Sequence, residues 1–467
     1  MRYVSTRGQA PSVGFIDAIL SGLAPDGGLY VPETWPTLSK DEIAAFSGQP
    51  YHAVATEILS RFVGNEIARD TLADMCAEAY ATFSHSAVVP LKQIAPQGFI
   101  AELFHGPSLA FKDVAMQLLA RLMDHVLAER GLRVTIVGAT SGDTGGAAVE
   151  AFRARDNVDV FILFPKGRVS PIQQRQMTTA AAANVHAIAV EGTFDDCQAI
   201  VKGLFNNPSF RDSVALTAVN SINWARILAQ TVYYFTAAVA LGAPRVPVSF
   251  TVPTGNFGDI FAGYVAKRMG LPIDRLVIAT NENDILARTL ESGRYELRPV
   301  TPTASPSMDI QISSNFERLL FEVHGRDGAA VRRLMDDLGR GSFALDKPAL
   351  DAIRKDFAAG RADEAETAAT MRAVHARTGM LVDPHTAVGL SVAERFAKAG
   401  VPMITLATAH PAKFPDAVRA ATGQEPALPE ALSDLMQRRE QFTTIGNDRA
   451  AVERYIAGHT RALVEKV

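Results

Sequence analysis

The chain of 467 residues carries a formal net charge of −4, with 48% hydrophobic and 21% charged residues. This length predicts more than one folded lobe, and the composition is that of a folded globular protein. The slightly acidic balance and the scattered lysines and arginines argue against the basic surface that nucleic acids or anionic membranes require.

Cysteine content and hydropathy indicate where the protein works. Its two cysteines, Cys76 and Cys197, lack the CxxC spacing of a metal site. Residues 1–11 lack the apolar core of a signal peptide, and no later stretch is apolar enough to span a membrane. The sequence therefore predicts a cytoplasmic protein with no metal, no nucleic-acid partner and no membrane partner.

Residues 1–90 predict an N-terminal, mainly helical accessory domain. Four of its segments have the periodicity of amphipathic helices: FIDAILSGL, DEIAAF, VATEILSRFV and RDTLADMCAEAYATF. The last segment contains Cys76, so we expect that thiol to be buried and structural.

Strand-like runs alternate with helical patterns from about residue 100 onward. Six runs are rich in apolar and β-branched residues: RVTIVGA, VDVFILFP, NVHAIAV, VPVSFTVP, RLVIATN and MITLATA. This alternation predicts an α/β fold with two parallel sheets, each covered by helices on both faces. We expect a large lobe from residues 91–130 and 245–467 and a small lobe from residues 131–244. The charged, helix-prone region near 315–375 is interpreted as a helical insertion in the large lobe.

Lys112 lies where a soluble helix rarely has a lysine. In HGPSLAFKDVA it shares a helix face with Ala115 and Met116, one position away from the polar stripe. Near a helix N-terminus and among apolar neighbours, the ammonium form is disfavoured by the helix dipole and by desolvation. A neutral lysine can attack an aldehyde and hold it as a Schiff base. The alternative is that the side chain only extends from the helix end to solvent.

Two glycine-bearing loops each follow a predicted strand and precede a predicted helix. The first lies in ATSGDTGGAA, before a helix that is expected to begin near Ala147. The second runs from Gly255 to Asp259 in PTGNFGD. Backbone N–H groups of such loops, at the positive end of a helix, suit a carboxylate or a phosphate. Plain turns, with Asp143 or Thr144 capping the first helix, are the alternative.

Two further segments offer polar contacts. NSINWARILAQ gathers Asn220, Ser221, Asn223 and Arg226 at the start of a helix, where Arg226 could bind an anion through two hydrogen bonds. Helix capping by Asn220 or Ser221 is the alternative. TLATAHPAKF places Thr408 at the end of a strand-like run, where its hydroxyl could contact a ring nitrogen.

Long motifs of the chain resemble those of the threonine synthases, in the longer class of microbes and fungi. They are GLAPDGGLYVP, FHGPSLAFKD, ATSGDTGGAA, NSINWAR, PTGNFGD, SMDIQISSNFERLLFE, DPHTAVG and TAHPAKF, and they span nearly the whole chain. The resemblance implies fold type II of the pyridoxal-phosphate enzymes, with two three-layer lobes of the tryptophan synthase beta-like type. It also implies conversion of O-phospho-L-homoserine and water to L-threonine and phosphate.

The resemblance further implies roles for individual residues. Lys112 would bear the cofactor pyridoxal 5′-phosphate, Thr408 would face the pyridine nitrogen, and Asp143 would lie near the ring hydroxyl. The residues of the cofactor phosphate loop would be Gly255, Asn256, Phe257, Gly258 and Asp259. The substrate carboxylate would be received by Ser141, Gly142 and Thr144. The substrate phosphate would be bound by Asn220, Ser221, Arg226 and Asn256.

Other functions share parts of this pattern. A phospho-lyase acting on the same substrate would have the same cofactor site but would form 2-oxobutyrate, ammonia and phosphate. A non-catalytic nucleotide-binding regulatory protein would share the doubly wound fold, although neither nucleotide fingerprint occurs in the sequence. We expect a monomer or a homodimer, with structural roles for His105, His385 and His410.

Overall fold

The computed structural model describes residues 1–140 and 142–463. These residues form two compact units. The larger unit comprises residues 1–19, 23–111 and 221–426, and the smaller unit comprises residues 20–22 and 112–220 and the chain from 427 onward. Among the residues that the structure describes, none of the helices combines the length and the apolar character of a membrane span.

The helices and strands alternate along most of the chain. The strands are β1 (Tyr3–Ser5), β2 (Tyr30–Pro32), β3 (Leu91–Ala95), β4 (Gly98–Glu102), β5 (Val134–Ala139), β6 (Val158–Pro165), β7 (Val185–Glu191), β8 (Leu216–Thr217), β9 (Val248–Pro253), β10 (Ile273–Thr280), β11 (Arg294–Glu296), β12 (Ser342–Ala344), β13 (Phe357–Arg361), β14 (Met403–Ala407) and β15 (Thr443–Gly446). The helices are α1 (Phe15–Ser21), α2 (Lys40–Ala44), α3 (Tyr51–Val63), α4 (Arg69–Tyr80), α5 (Lys112–Arg130), α6 (Asp143–Phe152), α7 (Pro171–Thr178), α8 (Phe194–Phe205), α9 (Pro208–Ser213), α10 (Trp224–Ala240), α11 (Gly258–Arg268), α12 (Ile285–Ser292), α13 (Phe316–Val323), α14 (Gly328–Gly339), α15 (Lys347–Asp356), α16 (Glu364–Thr378), α17 (Pro384–Phe396), α18 (Pro415–Thr422) and α19 (Arg449–His459).

The larger unit is built on a six-stranded sheet of order β13-β10-β9-β14-β4-β3, in which only the pairing of β3 with β4 is antiparallel. Leu276 and Val277 are adjacent in β10 and therefore face opposite sides of the sheet. Leu276 lies against Gly263 of α11, whereas Val277 packs with Val388 of α17. Helices thus cover both faces, which confirms the predicted three-layer arrangement.

The smaller unit is built on a five-stranded, fully parallel sheet of order β15-β7-β6-β5-β8. Neighbouring residues of β6 again face opposite sides. Phe161 packs with Ile200 of α8, and Ile162 lies against Gly145 of α6. This sheet also has helices on both faces, as predicted.

The structure confirms the local predictions. The six strand-like runs form β5, β6, β7, β9, β10 and β14, and the four N-terminal segments form α1 to α4. Cys76 is fully buried in α4, and burial raises the pKa of its thiol to about 12. Its structural role is therefore that of a small apolar side chain.

The unit boundaries differ from the predicted lobes. β15 pairs with β7, so the end of the chain belongs to the smaller unit and not to the large lobe. α5 also lies in the smaller unit, whereas α10 and helices α2 to α4 lie in the larger unit. β13 pairs with β10, so the region 315–375 contributes an edge strand of the main sheet and is not only a helical insertion. These pairings join segments far apart in sequence, which local periodicity cannot detect.

Candidate active site

Lys112 is the first residue of α5, and 9% of its surface is exposed. Its Nζ lies 3.6 Å from Oδ2 of Asp143, the first residue of α6. The side chain therefore ends at a buried carboxylate, and the interpretation that it extends to solvent is wrong. The helix dipole and burial disfavour the ammonium form of Lys112, but a carboxylate 3.6 Å away attracts it.

A third side chain joins this buried cluster. Gln173 Nε2 donates a hydrogen bond of 2.8 Å to Asp143 Oδ1, and Gln173 is 4% exposed. The Asp143 carboxylate thus has an amide N–H at one oxygen and the Lys112 ammonium at the other. Gln173 is absent from the predicted site because nothing in its local sequence, at the start of α7, distinguishes it from an ordinary helix residue.

The first glycine-bearing loop ends where α6 begins, at Asp143, earlier than the sequence predicts. Gly142 is the N-cap residue, with a φ of 142° that L side chains rarely adopt. The hydroxyl of Thr140 accepts from the N–H groups of Gly142 and Gly145 at 2.9 and 3.0 Å. A threonine that precedes the helix therefore closes its first turn, in place of the expected capping by Asp143 or Thr144.

Gly142 and Thr144, two of the three residues expected to receive the substrate carboxylate, lie at the start of α6. Ser141 lies outside the described residues. Gly142 uses its N–H in the bond to Thr140, and Thr144 is half-buried in the first turn of α6.

The second loop connects β9 to α11. A Cβ on Gly255 would lie 2.8 Å from the carbonyl oxygen of Ser307, so a side chain does not fit there. Phe257 has a φ of 62°, and its ring is buried against Phe316 and Phe357. The loop is therefore a tight turn anchored by an aromatic side chain, and its left-handed residue is Phe257 rather than a glycine. Gly255 is required by the close approach of Ser307 and not by a left-handed φ.

The carbonyl groups of this loop are fixed by residues 313–315. Ser313 Oγ donates to the Gly255 carbonyl over 2.6 Å. Asn315 donates to the Asn256 carbonyl through its backbone N–H at 3.0 Å and through its Nδ2 at 2.9 Å. Both residues lie in the motif SMDIQISSNFERLLFE, which the sequence singles out without indicating a role.

These bonds orient the loop for an anion. In a planar trans peptide, a carbonyl directed at residues 313–315 directs the following N–H to the opposite side. The N–H groups of Asn256 and Phe257 therefore point away from that segment, and neither donates to another residue of the described chain. Free N–H groups beside a helix N-terminus, with no side chain at Gly255, are what a phosphate group requires.

Removal of the Ser313 hydroxyl tests this support. We expect Ser313→Ala to weaken cofactor affinity about fivefold, since one hydrogen bond of about 1 kcal/mol no longer fixes the Gly255 carbonyl. Spectroscopic titration with pyridoxal phosphate measures the change. Ser292→Ala is the matched control, because Ser292 also donates to a carbonyl, at 2.7 Å, but at an exposed position of α12. Equal affinities of both variants would contradict the role of Ser313.

Asp259, the last residue of the predicted loop, lies inside α11 and is 7% exposed. Its Oδ1 accepts a hydrogen bond of 3.1 Å from the hydroxyl of Tyr234, and Tyr233 is also hydrogen-bonded to it. Both tyrosines belong to α10. The carboxylate therefore stabilises the packing of α10 on α11, next to the loop.

The segment expected to bind the substrate phosphate begins α10. Asn223, and neither Asn220 nor Ser221, caps this helix through a bond of 3.0 Å from Ala225 N–H to its Oδ1. Arg226 is 3% exposed, and burial lowers the pKa of its guanidinium to about 10. A residue of this segment therefore caps the helix, as the alternative predicts, but that residue is Asn223 and not Asn220 or Ser221.

The backbone carbonyls of Ser221 and Asn256, two of the expected phosphate-binding residues, both accept from the side-chain amide of Asn315. Asn315 Nδ2 donates to the carbonyl of Ser221 at 3.2 Å as well as to that of Asn256. Asn220, by contrast, is exposed and belongs to the smaller unit.

Thr408 follows β14 and is 7% exposed. Its carbonyl accepts a hydrogen bond of 2.8 Å from the N–H of Phe111, the residue before Lys112 in the chain. Lys413 Nζ donates to the carbonyl of Ser108 over 2.6 Å. Residues after β14 thus fix the segment that leads to Lys112.

The three histidines of the matched motifs each have a described partner. His105 Nε2 lies 2.8 Å from Glu102, His385 lies 2.7 Å from Asp383 and accepts from Ser307 N–H at 3.3 Å, and His410 accepts from Ala412 N–H at 3.2 Å. Burial lowers the pKa of His410 to about 4. These contacts are typical of structural histidines.

Comparison with protein families covers the chain in three parts. The model for the threonine synthase N terminus matches residues 2–80, that for pyridoxal-phosphate dependent enzymes matches residues 98–402, and that for the threonine synthase C-terminal region matches residues 386–456. A threonine synthase of Pseudomonas aeruginosa is 52% identical over 462 residues, which cover 98% of both chains.

Solved structures agree with these matches. The crystal structure of a threonine synthase from Brucella melitensis with bound pyridoxal phosphate has a TM-score of 0.98 and 63% identity, covering 99% of this chain and 100% of that one. The yeast threonine synthase has a TM-score of 0.94 and 41% identity, covering 98% of both chains. The fold is therefore type II of the pyridoxal-phosphate enzymes and the cofactor is pyridoxal 5′-phosphate, as the resemblance implies, and the nucleotide-binding alternative has no support. The chain belongs to the threonine synthase family.

Proposed function

We propose that the protein converts O-phospho-L-homoserine and water to L-threonine and phosphate, with Lys112 as its central catalytic residue. The observation that carries this proposal is the buried pair of Lys112 and Asp143, 3.6 Å apart, in a chain of the threonine synthase family. A buried amine at the start of a helix is suited both to bond an aldehyde and to move protons.

The remaining assignments are those that the resemblance to the threonine synthases implies. In the proposal, Lys112 Nζ bonds the cofactor, Asp143 lies at the ring hydroxyl, and Thr408 lies at the ring nitrogen. The loop from Gly255 to Gly258 takes the cofactor phosphate through its N–H groups. When bound, pyridoxal phosphate supplies an electron sink for negative charge that develops on the substrate carbons.

Lys112 carries the proton transfers in this proposal. Once the substrate amine replaces it, its Nζ is a free amine that takes a proton from the α carbon. It takes the proton of the β carbon only after giving up the first, which the bound cofactor would hold until the α carbon regains it. The C–O bond at the γ carbon breaks, and phosphate leaves with the electron pair. Lys112 returns one proton to the γ carbon, hydroxide from water adds at the β carbon, and the α carbon regains a proton. The departing phosphate is the base that we assign to the water.

Substrate binding is assigned to both glycine-bearing loops and to the start of α10. The substrate phosphate is assigned to Arg226 with Asn220, Ser221 and Asn256. The substrate carboxylate is assigned to Ser141, Gly142 and Thr144. Because the Gly142 N–H also donates to Thr140, a carboxylate there would share that donor.

Product analysis distinguishes this function from the phospho-lyase. Incubation of the purified protein with O-phosphohomoserine is expected to release phosphate and threonine in equal amounts. Phosphate with 2-oxobutyrate and ammonia, without threonine, would establish the lyase instead. The absence of phosphate would contradict both reactions.

We also propose a cytoplasmic location and a monomeric or homodimeric state. The location is supported by the two cysteines, both buried as free thiols, which suit a reducing compartment. Analytical ultracentrifugation measures the oligomeric state.

A further inference from the structure

We infer that Gln173 is a positioning residue of the active site, whose amide holds one oxygen of the Asp143 carboxylate while the other oxygen faces Lys112. This inference rests on the proposed role of Asp143 beside the cofactor and deepens it. Gln173 acts through Asp143 and does not touch the reacting atoms itself.

The amide of Gln173 is held at both ends. Its Nε2 donates to Asp143 Oδ1 over 2.8 Å, while its Oε1 accepts from the N–H of Ser170 at 3.4 Å. Ser170 in turn accepts from the backbone N–H of Gln173 at 3.2 Å and so caps α7. The reversed amide would put a carbonyl oxygen against a carboxylate, so this network fixes the N–H toward Asp143.

The choice of glutamine is unusual for this position within the chain. The structure describes three other such reciprocal caps, and each has an acid where α7 has Gln173: Glu42 in α2, Asp196 in α8 and Glu366 in α16. An acid is favoured there because the helix dipole stabilises negative charge at an N-terminus. A second carboxylate at Gln173 would, however, face Asp143 at hydrogen-bonding distance.

The contact between Gln173 and Asp143 depends on the absence of a side chain at Gly142. A Cβ on Gly142 would lie 2.3 Å from Cδ of Gln173, and the φ of 142° also disfavours a side chain. The backbone of the first glycine-bearing loop therefore passes directly along the Gln173 amide. This close approach allows the amide to reach the residue that follows, Asp143.

The electrostatic effect follows from the donors around the carboxylate. A hydrogen bond to the charged form of an acid favours that form. Lys112 of α5 adds positive charge at 3.6 Å. Three pairs of charged groups on or next to α6, on α7 and in the residues after 433 do not include Asp143: Arg175 with Glu440, Arg438 with Asp434, and Arg153 with Glu150. On α5, Asp113 follows Lys112 and is fully buried. Gln173 is thus the neutral donor that fixes Asp143 without adding a charge.

The decisive variant is Gln173→Glu, which keeps the helix cap but places a carboxylate against Asp143. The two acids then share one proton and titrate as a pair. With that proton present, the introduced carboxyl group donates as the amide does; when it is lost, the carboxylates repel. We expect kcat near the wild-type value at low pH and a new alkaline limb, with a loss of at least about tenfold, that the wild type lacks.

Controls separate this effect from loss of structure. Glu366→Gln makes the opposite exchange in the cap of α16 and is expected to leave the pH profile unchanged. Cofactor occupancy is measured for each variant at each pH. If Gln173→Glu shows no additional pH limb, whatever its absolute rate, the inference is overturned.

A second variant decides the matter if Gln173→Glu does not fold. Gln173→Met keeps the chain length and removes the donor, so the ionised form of Asp143 is less favoured. We expect the pH midpoint of the cofactor absorption band to fall relative to the wild type, and an identical midpoint would overturn the inference. Failure of the wild type to form threonine would refute the proposed function instead, and the absorption titration would still test Gln173.

Discussion

Replacement of Lys112 by alanine is expected to lower the rate of threonine formation by at least about 10³-fold, since it removes both the covalent attachment of the cofactor and the amine that moves protons. Steady-state assay of threonine measures the loss. Borohydride reduction of the wild-type holoenzyme, followed by peptide mapping, is expected to find the pyridoxyl label on Lys112.

Two comparison variants sharpen this experiment. Lys112→Arg keeps a cation beside Asp143 but cannot act as a nucleophile, so we expect a folded protein with the same loss of activity. Lys166→Ala removes a lysine of the smaller unit that pairs with Glu191 at 3.2 Å on the surface, and its activity should match the wild type. A label on another lysine, or substantial activity in both Lys112 variants, would refute the assignment.

Local sequence patterns are sufficient for the parts of the fold that depend on local burial. All eight residues of β6 are buried, and their continuous apolar run predicts a central parallel strand. The two glycine-bearing loops are likewise predictable as turns between a strand and a helix, although the left-handed residue of the second loop is Phe257 and not one of its glycines. Lys112 is recognisable because its charge interrupts an apolar helix face.

The parts that escape prediction depend on contacts between distant segments. Ser313 and Asn315 support the phosphate loop although they lie 58 and 59 residues further along the chain than the carbonyls they bind, and neither has a distinctive residue type. The sequence around Gln173 indicates only a helix cap, and its contact with Asp143 is seen only in the structure. β15 has no distinctive pattern until it pairs with β7. Side chains whose role is to hold another residue carry no local signal of their own.

Arg318 is the strongest example of such a residue, because it is fully buried and connects three segments of the larger unit. Its Nε donates to the carbonyl of Tyr30 at 3.0 Å, its Nη2 donates to that of Ile222 at 2.7 Å, and its Nη1 donates to Asn315 Oδ1. Burial lowers the pKa of the guanidinium to about 9. Arg318 thus links the N-terminal strand β2 and the start of α10 to the residue that fixes the phosphate loop.

Replacement of Arg318 by methionine is therefore expected to reduce the free energy of unfolding by about 3–5 kcal/mol, because it leaves two buried acceptors and one half-buried acceptor without their donor. Urea unfolding of the holoenzyme measures the shift. Cofactor affinity should fall as well, since Asn315 loses the contact that orients it toward Asn256. Arg318→Lys is expected to be intermediate, because one ammonium group cannot reproduce the planar set of donors.

Arg340→Met provides the matched control for that change. Arg340 pairs with Asp337 on the surface, with 72% of its side chain exposed, so its loss should cost less than about 0.5 kcal/mol. Equal unfolding midpoints for the Arg318 and Arg340 variants would mean that water or relaxation satisfies the three carbonyl oxygens. A destabilised Arg318→Met with unchanged cofactor affinity would separate the two roles: the arginine would then stabilise the larger unit without orienting the phosphate loop, and Ser313 would be its principal support.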